Sequence, residues 1–145
     1  MKLENLENNI ELGRKIFEAV PIKIRPMWGV TILQAFEGYI NKVPNQIKEL
    51  YDIAENEKNW GDAHDQFSKI RTFSLTNYSF KPESYLLLAE KIAKITYNES
   101  GLAAPFDKDS GWWIASCAKQ TAAYFNDPDL NKEILRILTV NLDER

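Results

Sequence analysis

Residues 81–101 read KPESYLLLAEKIAKITYNESG, and this segment carries the most informative pattern in the chain. Its apolar residues recur at steps of three and four, which is the spacing of one buried face on an α-helix. They are Tyr85, Leu88, Ala89, Ile92 and Ile95. The strand-like run at 86–88 falls inside this helical period. The pattern therefore predicts a helix that starts after Pro82 and stops at 98–101.

Six further segments show the same spacing, and strand-like alternation is nearly absent. They lie at residues 6–20, 26–41, 44–54, 60–70, 110–125 and 127–138. Several are bounded by proline, which is tolerated in a first helical turn and stops a helix elsewhere. The length of 145 residues suits one domain with a single core. We therefore predict an all-α fold, a compact single-domain bundle of about seven short helices over residues 1–145.

Polar residues at two helix starts predict caps. We expect Asp109 or Ser110 to cap the sixth helix by accepting a hydrogen bond from a first-turn N–H. Asp127 should cap the seventh helix in the same way. Gly29 and Gly38 should each cost the second helix up to about 1 kcal/mol relative to alanine, unless a neighbouring helix packs closely there.

Composition and charge exclude several classes of partner. Lys and Arg number 18 against 21 Asp and Glu, for a net charge of −3, and no basic run occurs. Without clustered cations we expect no nucleic-acid partner and no docking on anionic lipid. No apolar run approaches the roughly 20 residues that span a bilayer, and the N-terminus lacks a signal-peptide core. With one cysteine and no internal disulfide, we expect a cytoplasmic protein that stays out of membranes.

No motif in the sequence specifies a reaction. His64 stands between Asp62 and Asp65, but at these spacings neither carboxylate lies over the ring on a helix. Capping and the dipole of a helix start explain both aspartates. A calcium loop that begins at Asp107 fails, because its twelfth position is alanine instead of glutamate. We expect no catalytic residue, no metal and no cofactor.

A small hydrolase remains an open alternative, with a site assembled from residues distant in sequence. It would centre on His64 and Asp107, with Tyr78 and Cys117 as further members. Cys117 falls in the middle of the predicted sixth helix, where a small buried side chain is the more common role. A cleft in which these side chains converge would favour the enzyme.

Trp112 and Trp113 are the least ordinary feature of the chain. Adjacent positions on a helix point about 100° apart, so both rings cannot face one core wall. We predict that Trp113 packs inside and that Trp112 lies partly exposed beside Asp107 and Asp109. The inward stripe would consist of Trp113, Cys117, Gln120 and Tyr124. An exposed tryptophan among carboxylates has the composition of an interface anchor for a basic partner.

Residues 104–115, APFDKDSGWWIA, resemble small helical immunity proteins of bacterial toxin–immunity pairs, such as those that guard against contact-dependent growth inhibition. The resemblance implies a non-catalytic protein that binds a basic toxin domain, often a nuclease, and occludes its active site. Acidic side chains would mimic phosphate and speed the encounter. No motif residue of the family is carried over, so the predicted contacts are chosen at helix starts and loops. They are Asp62, Asp65, Asp107, Asp109 and Trp112.

A structural or adaptor protein is the second open alternative. It would act as a homo-oligomer through the face that carries Trp112, and a mass that rises with concentration would favour it. The sequence leaves the oligomeric state and the identity of the partner open.

Overall fold

The computed structural model describes residues 9–101 and 109–142, and in this part of the chain it contains seven α-helices and no strand. The helices are α1 Ile10–Ala19, α2 Arg25–Ala35, α3 Asn45–Glu55, α4 Ala63–Thr76, α5 Glu83–Asn98, α6 Ser110–Phe125 and α7 Pro128–Thr139. Short 3₁₀ turns occupy Ile22–Ile24, Glu37–Tyr39 and Glu57–Asp62. The predicted all-α class is confirmed. No helix within these ranges is both long enough and apolar enough to cross a membrane.

The helix at residues 83–98 is the centre of the bundle, and α2, α3, α4 and α6 all pack against it. It runs antiparallel to α4, because the ring of His64 at the start of α4 lies 5.0 Å from that of Tyr97 near the end of α5. At the other end of the pair, the Phe73 and Phe80 rings lie 5.8 Å apart. The segment with the clearest helical pattern therefore forms a central helix that packs against four others.

The pairing of α5 with α6 is also antiparallel. The hydroxyl oxygens of Ser84 and Thr121 lie 2.8 Å apart near the start of α5 and the end of α6. Further along the pair, the Lys91 ammonium in the middle of α5 lies 4.8 Å from the centre of the Trp113 ring in the first turn of α6. Consequently α4 and α6 run parallel, and both begin at the C-terminal end of α5.

One cluster of buried apolar side chains draws on all seven helices. Burying a single aliphatic side chain of this kind stabilises a fold by about 1.5–3 kcal/mol. Between α2 and α7, the indole N–H of buried Trp28 donates to the Ile137 carbonyl at 3.1 Å. Between α2 and α5, Arg25 and Glu99 form an ion pair of 3.2 Å, and each side chain is only 11% exposed.

Glycine permits the closest helix contacts. A Cβ on Gly13 of α1 would lie 2.6 Å from the Trp112 Cα of α6, and one on Gly111 would meet Phe17. A Cβ on Gly29 would lie 2.7 Å from the Ile92 side chain. The close packing of a neighbouring helix, which we gave as the condition for a glycine at this position, is therefore confirmed. Gly38 has no such neighbour and lies outside α2.

One of the two predicted caps forms. The Asp127 carboxylate accepts from the N–H groups of Asp129 at 2.9 Å and Leu130 at 3.5 Å. The prediction for α6 was wrong: Ser110 is already helical, and Asp109 at the cap position gives no side-chain cap within the described residues. Its carboxylate instead accepts from Arg14 of α1, since that guanidinium lies beside it.

Two other predictions are corrected. The second α-helix ends at Ala35, not near residue 41, and continues as the 3₁₀ turn Glu37–Tyr39. Trp113 does not pack inside, because 37% of its surface is exposed. Tyr124, which was predicted on the same inward stripe, is 57% exposed. The reason is the approach of α1, which packs against Gly111 and turns a different stripe of α6 into the core. That stripe consists of Ile114, Ala115, Ala118 and Ala122. Of the predicted stripe, Cys117 is buried as expected, whereas Gln120 is exposed.

Candidate functional site

Four of the five predicted contact residues lie at one end of the bundle. Asp62 and Asp65 stand at the start of α4, and Asp109 and Trp112 at the start of α6. Both helices begin beside the C-terminal end of α5, so the antiparallel packing brings together residues that are about 45 positions apart in sequence. Asp107 lies outside the described residues. We call the residues Asp62, Asp65, Asp109, Trp112 and Trp113 at this end of the bundle the acidic–aromatic face. They lie on two helices that both pack against α5, where Lys94 is also exposed.

The α4 part of this face is fully open to solvent. Asp62 is exposed, and the Asp65 side chain is 90% exposed. Asp62 at the cap position makes no side-chain cap in the structure, so capping does not account for it. Asp65 lies in the first turn, where a carboxylate interacts favourably with the helix dipole.

Two further carboxylates extend this surface onto α3. Glu49 and Asp52 line a groove of about 390 Å³ together with Asp62 and Asp65. The one basic residue in the lining is Lys69, whose ammonium lies 4.0 Å from the Glu49 carboxylate. The groove is therefore net acidic.

The sequence reading missed Glu49 and Asp52. Their spacing of three places them on one side of α3, and the short connection to α4 predicts an antiparallel neighbour. These two signals together would have placed them beside the start of α4.

The α6 part of the face is anchored to α1. The Arg14 guanidinium contacts the Asp109 carboxylate at 2.9 Å and the Glu11 carboxylate at 2.7 Å. The hydrogen bond to Asp109 is the main cause that raises the pKa of Arg14. Arg14, which is shared with Glu11, thus offsets part of the charge of Asp109, whose side chain is 32% exposed. It offers a partner less charge than Asp62 or Asp65 does.

The two tryptophans form a small aromatic platform beside Asp109. Their ring centres lie 4.8 Å apart in an edge-to-face arrangement. Trp112 is half-buried against Gly13, which agrees with the prediction that it is partly exposed. Trp113, which the sequence reading placed in the core, is the more exposed ring, and the Lys91 ammonium lies over it. The platform is therefore larger than the single ring we expected.

The residues of the alternative hydrolase do not converge in the described part of the chain. His64 Nδ1 lies 3.9 Å from the Asp65 carboxylate, beyond a hydrogen bond, and the histidine is 67% exposed. Tyr78 follows the far end of α4, about 20 Å along the helix at 1.5 Å per residue. Cys117 is 2% exposed, and burial raises the pKa of its thiol to about 11. Within residues 9–101 and 109–142, no three His, Cys, Asp or Glu side chains are placed to hold a metal ion.

Comparison of the chain with protein-family models, curated proteins and solved structures finds no match. Fold and surface geometry are therefore the basis for a functional assignment.

Proposed function

We propose that this chain is a non-catalytic binding protein that neutralises a basic toxin domain, in the manner of an immunity protein. The observation that supports the proposal is the acidic–aromatic face, in which exposed Asp62 and Asp65 lie at the same end of the bundle as the Trp112–Trp113 platform. The face would cover the active site or the substrate groove of the toxin.

The size of the face suits such a partner. Packed helices lie about 8–10 Å apart, so α4 and α6 are separated by at most about 20 Å across α5. A stable interface takes about 800 Å² from each partner, or a patch roughly 28 Å across. A partner that contacts both the acidic groove and the tryptophan platform must also cover the end of α5, where Lys94 is exposed.

The composition of the face divides the binding energy between two kinds of contact. Tryptophan is among the residues most enriched at energetic hot spots, and Trp113 presents 37% of its surface to solvent. Rim carboxylates such as Asp62 and Asp65 mainly raise the association rate with a basic protein. We therefore expect Trp113 to control the dissociation rate and the aspartates to control the association rate.

A survival assay tests the proposal. The product of the open reading frame beside the one that encodes this chain is expressed in bacteria, with and without the chain, and colonies are counted. We expect the neighbouring product to kill the bacteria when it is expressed alone, and the chain to suppress this killing. A neighbour that is harmless, or that kills equally in the presence of the chain, would contradict the proposal.

A homo-oligomeric adaptor is the second candidate, and one observation favours it. Leu87 of α5 and Trp113 and Tyr124 of α6 expose 38%, 37% and 57% of their surfaces, on helices that pack side by side. A twofold partner could cover these side chains. Sedimentation equilibrium between 1 and about 200 µM distinguishes the candidates, because the adaptor requires a mass that doubles with concentration.

A further inference from the structure

A second pocket lies at the opposite end of the bundle, away from the acidic–aromatic face. The segment after the 3₁₀ turn Glu37–Tyr39 and the segment between α4 and α5 border an open groove of about 370 Å³. Pockets for small molecules commonly measure about 300–1,000 Å³, so this one suits a compact ligand. Its lining comes from segments 40–42 and 77–81.

The charge of this pocket is opposite to that of the molecule as a whole. Lys42 and Lys81 line it, and no carboxylate does, although the chain carries a net charge of −3. The Lys81 ammonium lies 3.3 Å from the Glu83 carboxylate, a pair in which both side chains are more than half exposed. Exposed ion pairs contribute about 0–1 kcal/mol to stability. Lys81 can therefore leave Glu83 and pair with a more highly charged anion at little cost in free energy.

Neutral polar groups and an apolar wall complete the lining. Asn41, Asn77 and Ser79 supply amide and hydroxyl groups. Ile40 and Phe80 supply carbon surface, and Phe80 is held in place by stacking on buried Tyr85 at 6.1 Å. A ligand that satisfies both parts of the lining has an anionic end and an apolar body.

The end of α4 and the start of α5 both lie beside the pocket. At the end of α4, the Phe73 carbonyl accepts from the Asn77 amide at 2.9 Å and from the Thr76 hydroxyl at 3.3 Å, so its partial negative charge is offset. At the start of α5, two residues after Lys81, no side chain caps the first-turn N–H groups. The Glu83 carboxylate in the first turn nevertheless offsets part of the positive end of α5, so the charge that favours an anion comes from the two lysines.

We propose that this pocket binds a small organic phosphate, with the phosphoryl group between Lys42 and Lys81 and the organic body against Ile40 and Phe80. A phosphate monoester carries nearly two negative charges at pH 7, which matches two ammonium groups. Lysine is a common phosphate ligand as a point charge. The site is independent of the toxin-binding proposal, because it lies at the other end of the bundle.

The test is a titration of the ¹⁵N-labelled full chain with phenyl phosphate, followed by amide chemical shifts. We expect saturable shifts concentrated at residues 40–42 and 77–81, and an affinity at least fivefold above that for inorganic phosphate, because the ring contacts the apolar wall. Phenol, which lacks the charge, should shift the same amides without saturating at equal concentration. Equal affinity for phosphate and phenyl phosphate would contradict the organic part of the proposal.

Variants separate this site from general attraction to lysines. Lys42→Ala and Lys81→Ala should each weaken phenyl phosphate binding about five- to tenfold, and the double variant should abolish saturation. Lys15→Ala, which removes an exposed lysine from α1, is the matched control and should bind as the wild type does. All three side chains involved are at the surface, and circular dichroism verifies folding. Shifts spread over many lysines, or a double variant that saturates normally, would overturn the proposal.

Discussion

The thiol of Cys117 lies in the middle of α6 and is 2% exposed. Burial raises its pKa to about 11, with Lys91 nearby as a weaker opposing cause. Thiolate is the reactive form of cysteine, so both access and ionisation are suppressed at neutral pH. This residue therefore has the small apolar role that its place in the helix predicts.

We expect Cys117 to react with a disulfide reagent at pH 8 at least a hundredfold more slowly in the folded chain than in 6 M guanidinium chloride. Absorbance of the released thiolate provides the rate. Comparable rates in the two conditions would show that the thiol is accessible, and would reopen the hydrolase alternative.

Glu90 is a buried carboxyl in α5, and it gives the stability of the chain a pH dependence. Burial raises its pKa above the ordinary 4.5, although Arg71 and Lys91 partly oppose the shift. Because the folded pKa is raised, the contribution of Glu90 is most favourable below pH 4.5. It is lost as pH rises through the folded pKa, when burial acts against the charged form.

We therefore expect Glu90→Gln to raise the free energy of unfolding at pH 7 and to leave it nearly unchanged at pH 3.5. Urea denaturation at the two pH values measures the difference. Glu83→Gln, at an exposed position seven residues earlier on the same helix, should show no such pH-dependent gain. A Glu90→Gln variant that is less stable at pH 7 would mean that the carboxylate is compensated by its cationic neighbours.

At the scale of the elements, glycine decides how closely α1 and α6 approach. Gly13 and the Trp112 backbone are in direct contact, so an added methyl group has no room. Overpacking of this kind costs about 1–3 kcal/mol when the backbone must move. The contact also fixes the rotation of α6, and thereby exposes Trp113.

We predict that Gly13→Ala lowers the free energy of unfolding by about 1–3 kcal/mol, despite the better helix propensity of alanine. Gly38→Ala is the matched control, since a Cβ at Gly38 meets nothing within 4 Å, and it should be neutral. Chemical denaturation of both variants measures the contrast. Equal effects at the two positions would mean that α1 and α6 pack less tightly than the structure shows.

The helices were predictable wherever local signals agree. The bounds of α6, Ser110–Phe125, follow from its apolar period and flanking residues, and the Asp127 cap follows from the sequence alone. The end of α2 was not predictable from periodicity, because Phe36 and Ile40 keep helical spacing and are buried although the α-helix has ended. The rotation of α6 depends on a contact with α1 about 100 residues away.

At the scale of the whole molecule, the parallel course of α4 and α6 creates the candidate site. Helix starts mark Asp62, Asp65 and Trp112 as surface residues, and this much could be predicted from sequence. Their presence at one end of the bundle depends on α5 packing between the two helices. The pairing of Asp109 with Arg14 and the addition of Glu49 and Asp52 likewise arise from tertiary contacts, which local patterns do not encode.

The central claim is that the acidic–aromatic face binds a basic protein domain. Two triple variants of this chain test it, and each removes two carboxylates and one aromatic ring. The first variant combines Asp62→Asn, Asp65→Asn and Trp113→Ala, and it alters the acidic–aromatic face. The second variant combines Glu83→Gln, Asp129→Asn and Tyr78→Ala. It also removes two carboxylates and one aromatic ring, but at the other end of the bundle, where all three residues are exposed.

The most direct measurement is the affinity of the purified chain and these variants for the product of the neighbouring open reading frame, by titration calorimetry. We predict a 1:1 complex with a dissociation constant on the order of nanomolar, as in many complexes whose interface is of standard size. The variant of the face should bind at least a hundredfold more weakly, and the opposite-end variant should bind as the wild type does. Absence of a complex, or equal weakening by the two triple variants, would contradict the claim.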